Sequence, residues 1–223
     1  MDGVIFSGRV DAGEQLAGLY DGPRDDVVVL GIARGGVPVG HPMALSLDGV
    51  LDVVTVRKLP IPWSPEMGFG AIAPDGTLVL NEELMPSLGL SKTQVDSIAS
   101  EVLAEVHRRE HVYRGDRPPA EIRDKNVILV DDGLATGYTM IASIEMAKKQ
   151  GAADITAAVP VSPADTARRV EPMVDRLLII HVARTYSFAV ASFYRDFHDM
   201  EDIEVLDFLR KAREREGRGA ATA

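Results

Sequence analysis

The residues with the clearest chemical character lie at 127–139, where two adjacent acids, Asp131 and Asp132, follow four apolar residues. Small and hydroxylated residues come next, among them Thr136 and Thr139. A loop of this kind before a helix offers free backbone N–H groups and the positive end of the helix dipole, which suit a phosphate. Carboxylates repel phosphate, so the acids suit neutral hydroxyl donors or a hydrated cation. Together these residues predict a site for a sugar phosphate with a divalent ion nearby.

These thirteen residues resemble the signature with which type I phosphoribosyltransferases bind 5-phosphoribosyl 1-pyrophosphate (PRPP): an apolar strand, two acids and a Thr-Gly-x-Thr loop. In that family the acids hold the 2- and 3-hydroxyls of the ribose, and the loop binds the 5-phosphate. The resemblance assigns the ribose and the 5-phosphate to Asp131, Asp132, Gly133, Leu134, Ala135, Thr136, Gly137, Tyr138 and Thr139. The alternative is an acid-rich turn in which Thr136 or Thr139 caps the following helix.

Two further basic segments could contact an anion at the same edge of a parallel sheet. Residues 33–36 follow the first predicted sheet strand, and their two adjacent glycines beside Arg34 suit a close backbone approach to an anion. Arg57 and Lys58 end the next predicted strand, where α/β folds bind their ligands. Each segment has a structural alternative, namely a tight turn with a surface Arg and a solvated basic pair.

The resemblance gives both segments a role at the pyrophosphate of PRPP. Family members bind pyrophosphate with a short loop after the first core strand, often through a cis peptide bond, which here corresponds to Ala33–Arg34. The implied pyrophosphate site comprises Ala33, Arg34, Gly35, Gly36, Arg57 and Lys58. The implied reaction is displacement at the anomeric carbon of PRPP by a nitrogen nucleophile, with Arg34, Arg57, Lys58, Asp131 and Asp132 as catalytic residues. The implied cofactor is Mg²⁺, held near the two acids by PRPP oxygens and water rather than by direct protein ligands.

The acceptor implied by the resemblance is a nucleobase or a related small heterocycle. Family members that act on 6-oxopurines commonly carry an acid directly before the Thr-Gly pair, where this chain has Ala135, so the loop is closer to the adenine or orotate type. A hood subdomain covers the base in this family, and here it is expected from residues 184–200 with the N-terminal segment. Its residues Phe193, Tyr194 and Arg195 could stack on a heterocycle and bind its edge. The alternative is a structural cover packed on the final helix.

The surrounding sequence alternates between apolar strands and amphipathic helices, which predicts an α/β fold with a parallel sheet. The resemblance specifies a Rossmann-like type I phosphoribosyltransferase core with helices on both faces and a small hood. Strands are predicted at 27–32, 52–56, 77–80, 127–130, 154–159 and 176–182. Helices are predicted at 11–20, 37–47, 91–113, 138–150 and 203–215, with one more that has Ser162 as N-cap and Pro163 as first residue.

Residues 59–76 interrupt this alternation with seven prolines and glycines, and they predict a flexible lid over the site. Trp63 and Phe69 are candidates for its closing contacts, and Glu66 is a candidate general acid or base. The tail at 213–223 is rich in charged residues, Gly and Ala, and is predicted to be disordered.

The chain of 223 residues has a formal net charge of −10 and no cysteine, and it is predicted to be a single domain over 1–223. The negative charge argues against nonspecific binding to nucleic acid or anionic membranes, because both are polyanions. No apolar run approaches the roughly 20 residues needed to span a bilayer. The N-terminus lacks the basic stretch of a signal peptide, so a cytoplasmic location is expected. Dimers are common in the superfamily, and the sequence leaves a homodimer open.

Most of residues 5–205 resembles a stand-alone group of "predicted phosphoribosyltransferases". The shared segments are Arg34–Gly36, Arg57–Leu59, Asn81–Leu84 and Phe193–Phe197. Two other functions stay open beside the transferase, namely a PRPP-sensing regulator without catalysis and a hydrolase that uses water as the nucleophile. The sequence has no added helix-turn-helix and no basic stripe, and its intact pyrophosphate segments favour an enzyme over a regulator.

Overall fold

The computed structural model describes residues 4–184 and 188–220 of the chain. The strands are β1 (Val27–Ile32), β2 (Val50–Val54), β3 (Arg57–Ile61), β4 (Ser64–Ile72), β5 (Leu78–Leu80), β6 (Asn126–Val130), β7 (Asp154–Pro163) and β8 (Arg176–Ala183). The helices are α1 (Arg9–Leu19), α2 (Gly36–Leu47), α3 (Met85–Leu88), α4 (Lys92–Arg114), α5 (Tyr138–Lys149), α6 (Ala164–Val170) and α7 (Asp202–Ala220).

The central sheet consists of five parallel strands in the order β2-β1-β6-β7-β8. In its register, Ile32 of β1 lies opposite Val54 of β2, and Gly31 lies opposite Val130 of β6. The carboxyl ends of these three strands therefore share one edge, and the loops that follow them emerge side by side. The predicted α/β fold with a parallel sheet is confirmed.

Helices cover both faces of this sheet, as predicted. On one face, Leu16 of α1, Met43 of α2 and Leu209 of α7 are buried in one apolar cluster with Val29 of β1. On the other face, Met140 and other apolar residues of α5 are buried against the central strands. Burial of each side chain of this size stabilises the fold by roughly 1.5–3 kcal/mol. The spacing of apolar residues along each helix therefore determines which face of the helix packs on the sheet.

Residues 59–76, predicted as an irregular flexible lid, form mostly strand. β3 and β4 make an antiparallel hairpin, and β5 completes a three-stranded sheet. Leu59 and Phe69 are fully buried in a cluster with α4, so Phe69 is a core residue and not a closing contact. Trp63 lies at the turn of the hairpin and is 64% exposed. Because of its prolines and glycines, the segment shows no clear strand pattern in the sequence. Packing of β3 and β4 on α4 stabilises the two strands.

The basic pair also occupies a different place from the one predicted. β2 stops at Val54, so Arg57 and Lys58 begin β3 instead of ending β2. Gly70 allows β4 to lie close to β5, because a Cβ at Gly70 would overlap the carbonyl oxygen of Val79. Arg57 and Lys58 therefore lie on the three-stranded sheet of β3, β4 and β5, beside the central sheet.

The boundary between β7 and α6 was predicted incorrectly. β7 continues through Ser162, and Pro163 is the N-cap of α6 with an extended backbone. Ser162 therefore does not cap the helix, and Pro163 is not its first residue. At the start of α4, Ser91 and Gln94 form a capping box, in agreement with a helix predicted from residue 91.

The final helix, α7, runs to Ala220, so residues 213–220 of the predicted disordered tail are helical. Arg210 donates to Glu214 across one turn at 2.6 Å, a spacing that stabilises exposed helices. Residues 221–223 of that prediction lie outside the described residues. Across residues 4–184 and 188–220, no helix has both the length and the apolar character needed to cross a membrane.

Candidate active site

A cleft of about 560 Å³ opens at the carboxyl edge of the central sheet. Residues from three sequence motifs line it, namely Ala33, Arg34, Arg57, Lys58 and Thr139. A smaller recess of about 200 Å³ shares Lys58 with this cleft and also contains Thr136 and Tyr138. The structure therefore brings together the loop after β1, the start of β3 and the loop before α5.

The loop at 133–139 is anchored from beneath by α6. Thr166 donates its hydroxyl to the carbonyl oxygen of Ala135 at 2.8 Å. Arg169 Nη1 donates to the carbonyl oxygen of Thr136 at 3.1 Å. Both bonds use carbonyl groups of the loop and none of its backbone N–H groups.

The start of α5 suits an anion. Gly137 is the N-cap with a φ of 81°, and no side chain among the described residues caps it, so Thr136 and Thr139 are not helix caps. Leu134 is buried and donates its backbone N–H to the carbonyl oxygen of Val161 at 2.9 Å. Leu134 thus anchors the loop, and the exposed turn before the helix remains the part that could cradle a phosphate.

The loop after β1 lies directly against the acid pair. The Ala33–Arg34 peptide bond is cis, as predicted. A Cβ at Gly35 would overlap the Asp132 carboxylate, and a Cβ at Gly36 would overlap the backbone at the end of β6. Both positions therefore require glycine, and the predicted pyrophosphate loop touches the predicted ribose-binding acid.

The two acids themselves are closely enclosed. Asp131 Oδ1 accepts the backbone N–H of Asp132 at 2.9 Å. Burial, followed by the neighbouring charge of Asp132, raises the pKa of Asp131 well above its ordinary value, while the Lys58 charge opposes this shift. Burial also raises the pKa of Asp132, against the opposing charge of Arg9. Burial of two adjacent carboxylates is energetically unfavourable unless a cation or a hydrogen-bond donor compensates it.

Arg9 is a residue that the sequence analysis missed. Its Nε donates to Asp132 Oδ2 at 2.8 Å, and its side chain is 9% exposed. Arg9 shares the buried face of α1 with Ala12, Gly13 and Leu16, at the i, i+3, i+4 and i+7 positions. The sequence signal that could have identified Arg9 is a cationic residue on the apolar face of a helix. A buried charge at such a position needs a partner.

The opposite wall of the cleft is built around Glu105 of α4. This carboxylate accepts from Arg108 Nε at 2.7 Å, Arg109 Nε at 2.9 Å and Arg57 Nη1 at 3.0 Å. Hydrogen bonds from Arg108 and then from Arg109 lower the pKa of Glu105 to about 2. Arg109 lines the cleft with Arg57 and was not predicted. The wall carries a surplus of positive charge.

Arg34 belongs to a second exposed cluster. Its Nη1 lies 3.8 Å from Asp202 Oδ1, and Tyr113 donates its hydroxyl to that same oxygen at 2.6 Å. Burial, helped by this hydrogen bond, raises the pKa of Tyr113 to about 12. The long Arg34–Asp202 separation leaves the guanidinium available for an anion in the cleft.

Two of the three predicted base-binding residues are core residues. Phe193 and Tyr194 are 3% and 4% exposed and pack in a cluster with Phe6. The Tyr194 hydroxyl donates to the carbonyl oxygen of Asp132 at 2.7 Å. The prediction that these rings stack on a base is therefore wrong, because the N-terminal segment covers them. Arg195 is exposed, and residues 185–187 of the predicted hood lie outside the described residues.

The sheet edge combines a phosphate-type loop, an enclosed acid pair and a glycine-rich loop against a cationic wall, which is the architecture of phosphoribosyltransferases. Residues 11–193 match the family model described as "Phosphoribosyl transferase domain". The chain belongs to this family.

Relatives of known sequence and structure agree with this assignment. "Putative phosphoribosyl transferase Rv0571c" of Mycobacterium tuberculosis H37Rv is 39% identical over 209 residues, which cover 93% of this chain and 47% of that protein. "Putative phosphoribosyl transferase MT0597" of strain CDC 1551 / Oshkosh matches to the same extent. The chain spans about half the length of these curated relatives. The crystal structure of TT1426 from Thermus thermophilus has a TM-score of 0.78 at 32% identity, covering 93% of this chain and 99% of that chain.

Proposed function

We propose that the chain transfers 5-phosphoribose from PRPP to a nitrogen heterocycle and releases pyrophosphate. The observation that carries this proposal is the contact between Gly35 and the Asp132 carboxylate. PRPP bears its pyrophosphate on the ribose carbon next to the one that carries the 2-hydroxyl. A loop for pyrophosphate and an acid for ribose hydroxyls must therefore be neighbours, and these two are.

The rest of the cleft supports the same orientation of PRPP. The 5-phosphate would lie on the loop at 135–139, where backbone N–H groups and the α5 dipole favour an anion. The ribose hydroxyls would donate to Asp131 and Asp132. The pyrophosphate would lie on the loop at 33–36 and against the cationic wall.

The donor set near the acid pair fits Mg²⁺, because carboxylate oxygens are hard ligands. Across the described residues, no cluster of three or more acidic or His side chains could hold a metal alone. Mg²⁺ would therefore be bound mainly through PRPP oxygens and water, with Asp131 and Asp132 close by. When bound, it would neutralise charge on the departing pyrophosphate.

The residues of the chain would promote the reaction mainly through electrostatic stabilisation. The bond from the anomeric carbon to pyrophosphate oxygen breaks as the bond to the acceptor nitrogen forms, and the acceptor loses a proton. Arg34, Arg57 and Lys58 would stabilise the charge that develops on the leaving pyrophosphate. Asp131 and Asp132 would lie near the cationic sugar. The β3–β4 hairpin, with Glu66 lining the cleft, would limit the access of water to that cation.

The class of acceptor is inferred from the resemblance of the loop at 135–137 to the family signature. Ala135 occupies the position where an acid would face the base in enzymes for 6-oxopurines, so hypoxanthine and guanine are poor candidates. We propose an acceptor of the adenine or orotate type, or a related small heterocycle.

The test is release of pyrophosphate from PRPP and Mg²⁺ with a panel of heterocycles, read together with formation of the nucleotide. We expect one acceptor to give both products in equal amounts, and Arg34→Ala to slow the formation of both. Release with water alone would identify a hydrolase. Tight PRPP binding without release would identify a PRPP-sensing protein. Absence of PRPP binding would contradict the proposal.

A further inference from the structure

Arg9 makes three contacts, which connect two separate parts of the molecule. Its Nε bonds to Asp132 after β6, and its Nη1 donates to the carbonyl oxygen of His198 at 3.0 Å. The centroid of the Phe197 ring lies 4.0 Å from its Cζ, which is a cation–π distance. The guanidinium group is therefore held by two hydrogen bonds and by a ring against one of its faces.

These contacts leave Asp132 little freedom of orientation. Its carboxylate lies between Arg9 and the backbone of Gly35, and its carbonyl oxygen accepts from the hydroxyl of Tyr194 at 2.7 Å. The hydrogen bond from Arg9 Nε is accepted by Oδ2. A carboxylate accepts about four hydrogen bonds, so Asp132 retains capacity for a ribose hydroxyl.

We propose that Arg9 is a positioning residue for the ribose of PRPP, which holds the Asp132 carboxylate against the loop at 33–36 and couples it to residues 197–198. The proposal rests on the proposed function. Arg9 does not itself touch the ligand; it acts through Asp132.

The need for such a residue follows from the charges at the site. Asp131 and Asp132 are adjacent and enclosed, and the charged or titratable groups that face them are Arg9, Lys58 and Tyr194. Two carboxylates in such a position tend to share a proton. Loss of the Arg9 charge would favour the protonated form of Asp132, which is a weaker acceptor for a ribose hydroxyl.

The experiment is a double-mutant cycle read as the dissociation constant of PRPP with Mg²⁺. The variants are Arg9→Met, Asp132→Asn and both together. Arg9→Lys keeps the charge, and Arg210→Met removes an arginine that pairs with Asp207 and Glu214 on the exposed surface of α7.

We expect Arg9→Met to weaken PRPP binding by roughly 10- to 100-fold, the range of a hydrogen bond to a charged group. In the Asp132→Asn background the same substitution should change binding by less than about twofold, because the residue it acts through is already altered. Arg9→Lys should recover part of the affinity, and Arg210→Met should match the unmodified chain. The affinity loss of Arg9→Met should grow as the pH is lowered, since Asp132 then binds a proton more readily.

The other outcomes distinguish a failure of the role proposed for Arg9 from a failure of the proposed function. Equal losses from Arg9→Met in both backgrounds, or no loss in the first, would overturn the role of Arg9 while PRPP binding stands. Normal PRPP binding by Asp132→Asn would refute the ribose assignment and the role of Arg9 with it. No PRPP binding by the unmodified chain would overturn both proposals. If Arg9→Met does not fold, the test uses Arg9→Lys. A PRPP affinity and a pH dependence of this variant identical to those of the unmodified chain would then contradict the proposed geometry.

Discussion

Asp132 and Arg57 are both held in ion pairs, yet the protein encloses one pair and leaves the other open. The side chains of Arg9 and Asp132 are 9% and 16% exposed. Those of Arg57 and Glu105 are 39% and 32% exposed, and Arg34 and Asp202 are similar at 35% and 38%. The acid side of the candidate site, Asp132 with Arg9, is thus enclosed in the fold, whereas the cationic side, Arg34 and Arg57, lies at its surface.

This difference has a physical consequence for binding. Exposed ion pairs contribute about 0–1 kcal/mol, so Arg34 and Arg57 can leave their partners for a ligand at little cost. Breaking an enclosed pair costs about 3–5 kcal/mol, so Asp132 keeps its position before a ligand arrives. In the proposed reaction, a fixed acid side would suit the ribose, which stays in the site. An adaptable cationic side suits pyrophosphate, which must be bound and then released.

The largest effect is expected at the cationic side, in catalysis. Arg34→Ala should lower turnover by roughly 100- to 1000-fold, because it removes a charge that stabilises the leaving group. The melting temperature should change little, since the Arg34–Asp202 pair is long and exposed. Steady-state kinetics and thermal melting, with Arg210→Ala as control, test both points. A large fall in melting temperature would show that Arg34 is structural.

The second effect concerns the acid side. Asp132→Asn should weaken PRPP binding by roughly 10- to 100-fold, since it replaces a charged acceptor of ribose hydroxyls by a neutral one. The affinity for inorganic pyrophosphate should stay within about twofold of the unmodified value. Calorimetric titration with each ligand measures both constants. Equal losses for the two ligands would show that the acid does not distinguish ribose.

The third prediction compares the two ion pairs through stability alone. Arg9→Met should lower the free energy of unfolding by about 3–5 kcal/mol, because it leaves an enclosed carboxylate without its partner. Arg57→Met should lower it by less than about 1 kcal/mol. Denaturant unfolding of both variants gives the two values. Similar values would remove the distinction between an enclosed side and an open side.

The smallest effect is a pH-dependent gain in stability. The raised pKa of Asp131, caused first by burial and then by the charge of Asp132, means that the folded chain binds this proton more tightly than the unfolded chain does. The free energy of unfolding therefore falls as the pH rises from the ordinary pKa to the raised one. Asp131→Asn, which stays neutral, should raise the melting temperature at neutral pH. At about pH 3, below the ordinary pKa of Asp, the gain should vanish; an equal gain at both pH values would point to packing instead of charge.

The sequence predicted the parts of the site that depend on local signals. The apolar run of β6, the acid pair and the loop before α5 are contiguous, and the resemblance to the family correctly implied the cis peptide bond at Ala33–Arg34. Arg9 could not be assigned in the same way, because it lies 123 positions from Asp132 and its role emerges only when α1 packs on the core. Its place on the apolar face of α1 was the one local sign.

The errors share this cause. Phe193 and Tyr194 were assigned to a base because aromatic residues in an irregular segment suggest an exposed binding surface, yet Phe6 packs on them from the other end of the chain. The prolines and glycines of residues 59–76 interrupt the alternation, so the strands β3 and β4 were not predicted, although their buried Leu59 and Phe69 pack on α4. The structure of both regions depends on contacts between residues that are far apart in the sequence, which local sequence patterns do not reveal.

The most direct test of the two-sided site is calorimetric titration with PRPP, ribose 5-phosphate and pyrophosphate, each with Mg²⁺, on the unmodified chain and on Arg34→Ala and Asp132→Asn. The account predicts that PRPP binds more tightly than either fragment. It also predicts that Arg34→Ala selectively weakens pyrophosphate, and that Asp132→Asn selectively weakens ribose 5-phosphate. PRPP binding no tighter than pyrophosphate, with both variants affecting both fragments alike, would contradict a site with a fixed acid side and an adaptable cationic side.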